Sequence, residues 1–477
     1  MNDLFVEGAA RFPDAPAVLA AQHTVTYRAF DARVAALAYD LRRAGLRPGD
    51  RLVLRPDGGV GDLERLAACW RTGASVCLIN PRVPQDAAVT MQRIAGVTAV
   101  LRDEDPVGRS MGLACRVDRV ARTRRGVTPE VPDPAAVIFT SGSTGEPKAA
   151  LLTHANLRHN ATAANRNIPI GPGDRWLLSL PLYHVSGLGI VMRCGLGGGA
   201  VVVAEPDESI PETILRLDVT HVSLVPTQLY RLLREESSAH TLRNVKVILL
   251  GGAAAPQSLV QRAAALGLPV CTTYGLTEMA SQVATTRPGD SPSAWATCGR
   301  PLEPETVWIA ETGEIHVRGP ALFAGYLDGD RLDRPMTEDG WFATGDLGAV
   351  DDYGRLSVLG RRDSLFRSGG EYVSPEEIER ELVRIDDVEE AVVIPVEDVE
   401  YGARPVAFVR LLDLDAGHFR RKEQELREVL SQRLPGYKMP AAFLPWPEGP
   451  ASGGPKPNRA ALARLAAQEM ARAPVVR

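Results

Sequence analysis

The chain has 477 residues, of which 45% are hydrophobic and 24% are charged, and its formal net charge is −5. This length and composition predict a folded protein with two or more domains and argue against a disordered or fibrous chain. The near balance of charges gives no reason to expect a nucleic-acid partner.

Cysteine usage and the apolar stretches indicate where such a chain would reside. The six cysteines are scattered and form no C-x-x-C pair, which disfavours a disulfide scaffold or a zinc ribbon and favours a reduced, cytoplasmic protein. The N-terminal residues lack a basic segment followed by an apolar one, so no signal peptide is expected. Residues 187–204 form the most apolar stretch, but Arg193 and several glycines interrupt it. We interpret this stretch as a buried strand and turn, and expect no membrane span.

The first third of the chain alternates helical and strand-like patterns. Apolar residues at helical spacing predict a helix from Tyr27 to Leu41, and Gly45 stands where such a helix would end. Short apolar strands are predicted around Leu52, at residues 136–139 and at residues 245–250. Because glycine-rich turns follow the last two strands, the pattern predicts an α/β domain with parallel strands.

A different pattern begins near residue 300. Residues 314–358 read as short strands and turns, and Ser374, Pro375 and Glu377 then predict a helix start with a capping box. Two strands and a helix are predicted after it. We therefore expect an α/β fold with a large N-terminal domain of mixed α/β layers and a β-rich subdomain (residues 1–362), followed by a small mobile α+β C-terminal domain (residues 363–477).

The strongest local signal is the loop TSGSTGEPK at residues 140–148, directly after a predicted strand. Its glycines allow the backbone to approach a ligand closely, its hydroxyls can donate to phosphate oxygens, and Lys148 can balance negative charge. The loop is not a Walker A motif, because Pro147 precedes the lysine. Taken alone, it could also be an ordinary solvated turn.

This loop resembles the phosphate-binding signature of the adenylate-forming superfamily, which includes acyl-CoA synthetases, luciferases and peptide-synthetase adenylation domains. Further segments resemble the remaining motifs of that superfamily in the same order, over almost the whole chain. They are YGLTE at residues 274–278, WFATGD at residues 341–346, GR at residues 360–361 leading into SGGE at residues 368–371, and Lys456 with Arg459.

The resemblance implies an ATP site with a bound Mg²⁺ ion. Asp346, assisted by Arg361, would bind the ribose hydroxyls, and Glu278 with Thr144 would hold the Mg²⁺ that bridges the ATP phosphates. The expected nucleotide-binding residues are Thr140, Ser141, Gly142, Ser143, Thr144, Gly145, Lys148, Gly252, Ala253, Tyr274, Gly275, Thr277, Asp346 and Arg361.

The resemblance also implies two reactions in one site. Lys456 would bridge the substrate carboxylate and the α-phosphate, although Pro455 replaces the glycine that usually precedes this lysine. Together with Lys456, the expected catalytic residues are His184 and Glu278. Asp363 occupies the position at which the small domain pivots between formation of an acyl-adenylate and its transfer to a thiol. A surface aspartate that does not pivot remains an alternative.

The expected substrate class rests on one residue that differs from the pattern of the amino-acid-activating subfamily. His184 stands where those proteins carry an aspartate, which favours an acyl-CoA ligase with coenzyme A as acceptor. Three stretches resemble the o-succinylbenzoate–CoA ligases: HVSG at residues 184–187 with Arg193 downstream, SLVPTQL at residues 223–229, and EDVEYGARP at residues 397–405. The expected substrate contacts are His184, Ser186, Gly187 and Arg193. A core histidine and a structural salt bridge remain alternatives for His184 and Arg193.

The expected activity is therefore ATP-dependent, AMP-forming ligation of 2-succinylbenzoate to coenzyme A through an acyl-adenylate, in menaquinone biosynthesis. The partners would be the small carboxylate, ATP and CoA, and the protein could form a homodimer. Another aryl- or medium-chain acyl-CoA synthetase is an alternative of the same class. A non-catalytic adenylate-binding regulator is an alternative of a different class.

Overall fold

The computed structural model describes residues 4–21, 23–103, 115–120, 131–141, 147–253, 255–412, 416–447 and 458–472. Its helices are α1 (Leu4–Arg11), α2 (Tyr27–Arg43), α3 (Val60–Thr72), α4 (Gln85–Ile94), α5 (His154–Asn167), α6 (Val185–Gly197), α7 (Ile210–Leu217), α8 (Pro226–Leu233), α9 (Glu236–Leu242), α10 (Gln257–Ala265), α11 (Pro375–Val383), α12 (Ala416–Arg433) and α13 (Arg459–Arg472).

The strands fall into two large sheets and several smaller ones. In chain order they are β1 (Pro16–Ala20), β2 (His23–Thr26), β3 (Arg51–Leu54), β4 (Ser75–Leu78), β5 (Ala99–Asp103), β6 (Cys115–Arg119), β7 (Pro134–Ser141), β8 (Pro147–Thr153), β9 (Arg175–Leu177), β10 (Ala200–Val202), β11 (His221–Leu224), β12 (Val247–Leu250), β13 (Val270–Leu276), β14 (Ser281–Thr285), β15 (Arg300–Pro301), β16 (Thr306–Ile309), β17 (Glu314–Arg318), β18 (Gly325–Asp328), β19 (Arg331–Asp333), β20 (Phe342–Val350), β21 (Leu356–Arg361), β22 (Phe366–Ser368), β23 (Glu371–Val373), β24 (Val388–Asp398), β25 (Gly402–Leu411) and β26 (Ala442–Pro445).

Two large sheets with mostly parallel centres form the N-terminal part. One has the order β15-β14-β13-β12-β11-β9-β10-β1-β2, and the other has the order β19-β18-β8-β7-β4-β3-β5-β6. The central strands β9 to β13 and β3, β4, β5 and β7 pair in parallel, as the alternating pattern predicted. Strands buried on both faces, such as β3, β4 and β12, explain the short uniformly apolar runs in the sequence.

Three smaller sheets are present among the described residues, one of them the two-stranded pair of β22 and β23. Strands β16, β17, β20 and β21 form an antiparallel sheet, which is the β-rich region expected after residue 300. Strands β24, β25 and β26 form a separate sheet covered by α11, α12 and α13, with its own apolar core around Val393, Val409 and Leu430. The chain therefore has a large N-terminal part and a small C-terminal part with separate cores.

The interpretation of residues 187–204 as strand and turn was wrong. The structure places most of this stretch in helix α6, and only β10 is a strand. The helix is buried around much of its circumference, so it lacks the amphipathic pattern that marks surface helices. Its glycines permit close packing: a Cβ atom on Gly195 would lie 2.7 Å from Cδ2 of Leu4.

The start of α11 is also different from the prediction. Ser374 is the N-cap residue and Pro375 is the first helical residue, but the Ser374 side chain does not cap the helix. It donates instead to Glu376, while the carboxylate of Glu377 accepts two hydrogen bonds from Nζ of Lys438, at 2.6 and 2.7 Å. Because Glu377 is committed to Lys438, the capping box does not form.

Among the described residues, none of the helices combines the length and the apolar character that crossing a membrane requires.

Candidate active site

Asp346 is buried and accepts hydrogen bonds from a buried tyrosine and a half-exposed arginine. Strands β20 and β21 pair so that Asp346 and Arg361 are directly opposite, which brings their side chains to the same face. Nη1 of Arg361 donates to Oδ1 of Asp346 at 3.1 Å, and the Tyr274 hydroxyl donates to Oδ2 at 2.6 Å. Burial, with the Asp346 charge beside it, raises the pKa of Tyr274 well above its ordinary value. Tyr274 therefore remains a hydrogen-bond donor to Asp346.

Glu278 forms a second group with Tyr326 and Lys148. Glu278 is buried in a short 3-10 turn after β13, and its Oε1 accepts a hydrogen bond from the Tyr326 hydroxyl at 2.5 Å. Nζ of Lys148 lies 5.2 Å from the centre of the Tyr326 ring. Burial and the Glu278 charge raise the pKa of Tyr326, and the positive charge of Arg361 opposes this shift. Arg361, which binds Asp346, is therefore close enough to Tyr326 to affect it electrostatically.

The phosphate-loop prediction falls partly outside the described residues. The loop joins β7 and β8, which pair antiparallel, so it is a hairpin connection rather than a strand-to-helix turn. Thr140 pairs with Lys148, and the last pair of the two strands is Ser141 with Pro147. Gly142, Ser143, Thr144 and Gly145 lie outside the described residues. The register nevertheless places the two ends of the loop beside each other, next to Tyr326 on β18.

Gly252, Ala253, Gly275 and Thr277 lie beyond or near the carboxyl ends of the parallel strands β12 and β13, where open α/β sheets bind ligands. Gly252 has φ +80°, a left-handed conformation that glycine adopts without strain. A Cβ atom on Gly275 would lie 2.1 Å from the carbonyl oxygen of Ser281. Gly275 is therefore required by the close approach of β13 and β14, whatever it contributes to a ligand.

His184, Ser186 and Gly187 lie at the N-terminal end of α6. His184 is the N-cap residue; it is exposed, and its ring centre lies 4.9 Å from that of Tyr183. It is therefore not the buried core histidine that the sequence left open. A Cβ atom on Gly187 would lie 2.2 Å from the Pro181 carbonyl oxygen. Packing within this turn accounts for Gly187 without any need for space for a substrate.

Arg193 is buried on α6 and contacts the end of α5. Nε donates to Oδ1 of Asn165 at 3.0 Å, and Nη2 donates to the carbonyl oxygen of Ile168 at 2.9 Å. The guanidinium carbon lies 4.1 Å from the centre of the Trp176 ring. Burial lowers the pKa of Arg193 to about 9. Most of the guanidinium is thus engaged within the protein, while Nη1 is buried without a hydrogen-bond partner.

The predicted hinge residue, Asp363, and the predicted catalytic lysine, Lys456, belong to the last third of the sequence. Asp363 lies in a 3-10 turn directly after β21, and its Oδ2 is 3.9 Å from Nη2 of Arg361. Lys456 lies outside the described residues. Arg459, three residues later, begins α13 and forms an ion pair with Glu379 at 2.6 Å.

Comparison with protein families supports the same interpretation. A model described as AMP-binding enzyme matches residues 5–327, and a model described as AMP-binding enzyme C-terminal domain matches residues 377–453. The chain belongs to the AMP-binding enzyme family.

Individual relatives are similar over nearly the whole of this AMP-binding enzyme. It is 34% identical over 473 residues to the 2-succinylbenzoate–CoA ligase of Geobacillus kaustophilus, covering 95% of each chain. Its structure is similar to o-succinylbenzoate CoA synthetase from Bacillus subtilis in complex with the acyl-adenylate intermediate, with TM-score 0.82 and 28% identity over 97% of this chain and 98% of that one. The complex of the Bacillus subtilis enzyme with ATP and magnesium ion gives TM-score 0.79 and 28% identity, over 96% and 98% of the two chains.

These comparisons confirm the family and the fold class predicted from the motifs. The AMP-binding enzyme has the adenylate-forming fold, with a large N-terminal and a small C-terminal domain. The two family models lie on either side of residue 362, and the exact boundary after this residue stays a prediction.

The donor chemistry of this AMP-binding enzyme fits a magnesium ion at Glu278. Mg²⁺ commonly uses one or two protein carboxylates together with substrate phosphates. The Tyr326 hydroxyl binds Oε1 of Glu278, and Oε2 is the oxygen that could bind the ion. Among the described residues no cluster of three His, Cys, Asp or Glu side chains could form a complete protein cage.

Sequence reasoning missed Tyr326 and Glu314. Tyr326 lies on the short strand β18, far along the chain from Glu278 and Lys148, and contacts both. Glu314 is buried on β17, where it binds the backbone of Gly345. No motif or spacing marks either residue in a single sequence.

Proposed function

We propose that this protein is a 2-succinylbenzoate–CoA ligase, an ATP-dependent, AMP-forming acid–thiol ligase of menaquinone biosynthesis. The observation that carries the proposal is the proximity of two groups, Tyr274, Asp346 and Arg361 in one and Glu278, Tyr326 and Lys148 in the other, with Arg361 close enough to act electrostatically on Tyr326. Together the two groups offer a carboxylate for the ribose and an acidic and a basic group for metal-bound phosphates. The similarity to 2-succinylbenzoate–CoA ligases supports the choice of carboxylate.

Each predicted residue of the nucleotide site has a proposed role in binding ATP or Mg²⁺. Asp346 and Arg361 bind the ribose, and the 140–148 loop with Lys148 binds the phosphates. The adenine and the α-phosphate are surrounded by Gly252, Ala253, Tyr274, Gly275 and Thr277. Glu278 and Thr144 would hold Mg²⁺, which when bound would neutralise phosphate charge.

Two steps complete the reaction. In the first, a carboxylate oxygen of 2-succinylbenzoate attacks the α-phosphorus of ATP and pyrophosphate leaves, with Lys456 offsetting the developing charge. In the second, the CoA thiolate attacks the acyl carbon and AMP leaves. The small domain pivots at Asp363 between the steps, so that one site serves both.

His184, Ser186, Gly187 and Arg193 are assigned to the carboxylate pocket. The benzoate carboxylate of the substrate is not activated and remains anionic, so it requires a cation or hydrogen-bond donors. The buried Nη1 of Arg193, which lacks a partner, is a donor of that kind. His184 lies at the exposed start of the same helix, with Ser186 and Gly187 next to it.

The proposed cellular location follows from the substrates. ATP and CoA are cytoplasmic, and we place the enzyme there. A homodimer is part of the proposal and is tested by light scattering coupled to size-exclusion chromatography.

A panel of carboxylates tests the function. Pyrophosphate release and CoA-ester formation are measured for 2-succinylbenzoate, benzoate and medium-chain fatty acids, each with and without CoA. The proposal expects the highest kcat/KM for 2-succinylbenzoate and ester formation only with CoA. Preference for another acid would identify a different acyl-CoA synthetase. Nucleotide binding without turnover on any acid would identify a regulator.

A further inference from the structure

Glu314 divides its carboxylate between two different segments of the chain. It begins β17, and its side chain is only 4% exposed. Oε1 accepts a hydrogen bond from the backbone N–H of Gly345 at 3.0 Å, and Oε2 accepts one from Nη1 of Arg362 at 2.5 Å. A buried carboxylate is stable only when its oxygens have such partners, so both contacts matter to the folded site.

The first oxygen fixes the irregular stretch of β20 that precedes Asp346, where the pairing of β17 with β20 shifts register. Gly345 has φ +75°, a conformation that other residues adopt only with strain, and it is bonded directly to Asp346. Thr344, on the other side of Gly345, donates from its hydroxyl to the Ile315 carbonyl oxygen at 2.7 Å. Contacts from β17 therefore hold the two residues that precede Asp346.

The second oxygen fixes the end of β21. Arg362 follows Arg361, which binds Asp346, and precedes Asp363. About half of the Arg362 side chain is exposed, yet its guanidinium reaches a buried carboxylate. A charge-assisted bond of this length is among the stronger side-chain contacts. It attaches the residue just before Asp363 to the sheet of the large domain.

We propose that Glu314 is a positioning residue that holds the irregular stretch of β20 before Asp346 with one carboxylate oxygen and the large-domain side of the hinge with the other. The proposal rests on the proposed function, because it takes Asp346 as the ribose ligand and Asp363 as the pivot. Glu314 acts through Gly345 and Arg362 and touches no substrate. Each oxygen therefore serves a different half of the reaction.

Three variants separate the two contacts. Glu314→Gln keeps a carbonyl oxygen for the Gly345 N–H but removes the charge that Arg362 requires, and Glu314→Ala removes both contacts. Arg362→Ala removes only the second. Glu305→Gln is the matched control, since Glu305 is a buried glutamate directly before the neighbouring strand β16, with its carboxylate beside Gly319. The affinity for AMP is measured by calorimetry, and the rate of CoA-ester formation is measured from supplied acyl-adenylate.

The proposal expects AMP affinity and the rate of CoA-ester formation to respond to different variants. Glu314→Ala should weaken AMP binding about tenfold, the effect of losing one hydrogen bond to a charged group. Glu314→Gln and Arg362→Ala should bind AMP within about twofold of wild type, yet form the CoA ester about fivefold more slowly or worse. Glu305→Gln should match wild type in both measurements.

Two results would overturn the proposal. One is an equal loss of AMP affinity in Glu314→Gln and Glu314→Ala, and the other is wild-type ester formation by Arg362→Ala. If Glu314→Ala does not fold, Glu314→Gln and Arg362→Ala decide: AMP binding more than about fivefold weaker in either contradicts the proposal. AMP binding needs neither the carboxylate nor CoA, so a wild type that binds AMP but makes no 2-succinylbenzoyl-CoA refutes the proposed function while the AMP affinities still test Glu314.

Discussion

The Tyr274 hydroxyl donates a hydrogen bond to Oδ2 of Asp346 at 2.6 Å, although 72 positions separate the two residues in the chain. Tyr274 lies on β13 of a large sheet, and Asp346 lies on β20 of the β-rich subdomain. The bond therefore links two sheets at the nucleotide site. It leaves Oδ1 of Asp346 to Arg361, so both oxygens have a donor before any ligand binds.

Replacing Tyr274 by Phe should weaken ATP binding. The change removes a buried hydrogen bond to a charged group, which is worth about 1.5–3 kcal/mol, so the KM for ATP should rise about tenfold or more. ATP–pyrophosphate exchange at saturating carboxylate measures this. The KM for the carboxylate should stay near the wild-type value, and an unchanged KM for ATP would show that Asp346 does not need this donor.

Replacing Glu278 by Gln should raise the Mg²⁺ concentration needed for adenylation. An amide is a weaker ligand for a hard cation than a carboxylate, and we expect a shift on the order of 100-fold. Pyrophosphate release titrated with MgCl₂ at fixed ATP gives the half-saturating concentration. Tyr326→Phe keeps the carboxylate but removes its hydrogen bond, so its shift should be smaller, about tenfold. A wild-type titration curve for Glu278→Gln would exclude it as the metal ligand.

Replacing Arg193 by Ala tests whether it anchors the benzoate carboxylate as well as the end of α5. Loss of a desolvated ion pair should raise the KM for 2-succinylbenzoate, at a cost of about 2–5 kcal/mol, and leave the KM for ATP unchanged. A substrate without the benzoate carboxylate should be almost indifferent to the change, which completes a double-mutant cycle.

Asn165→Ala is the control for Arg193. It removes one partner of the guanidinium but retains the charge, so the melting temperature should fall while the coupling to the benzoate carboxylate persists. Zero coupling in the Arg193 cycle would show that Arg193 has only the structural role.

Glu305 should make the folded state less stable as pH rises. Burial raises the pKa of this carboxyl group to about 7, above its ordinary value of about 4.3, so the folded state holds the proton more tightly than the unfolded state. Stability from this group is fully present below about pH 4.3 and is lost as pH rises through about 7. Glu305→Gln should therefore gain melting temperature relative to wild type at pH 8 but not at pH 5. An identical difference at both pH values would contradict this.

The alternating α/β part and the antiparallel region were predictable because the buried faces of helices and strands produce regular patterns of apolar residues in the sequence. The helix Tyr27–Arg43 and the strand Glu314–Arg318 match the predicted segments closely. Helix α6 was misread because it is buried among other elements, and its glycines reflect packing against Leu4 and Pro181 that sequence spacing does not show.

The site was predictable to the extent that its residues lie in contiguous motifs. Asp346 and Arg361 belong to two motifs, and the register of β20 with β21 then brings them together. Tyr326 and Glu314 were not found because their roles arise from tertiary contacts with Glu278 and Gly345. A single sequence contains no trace of such contacts.

The most direct test of the central claim follows an isotope through the reaction. With 2-succinylbenzoate labelled with ¹⁸O in the succinyl carboxylate, the attacking oxygen becomes the bridge of the acyl-adenylate. It remains on phosphorus when the CoA thiolate takes the acyl group. Mass spectrometry of the released AMP should therefore show one ¹⁸O atom per AMP, with 2-succinylbenzoyl-CoA formed in equal amount. Unlabelled AMP, or ADP as the nucleotide product, would contradict the acyl-adenylate route.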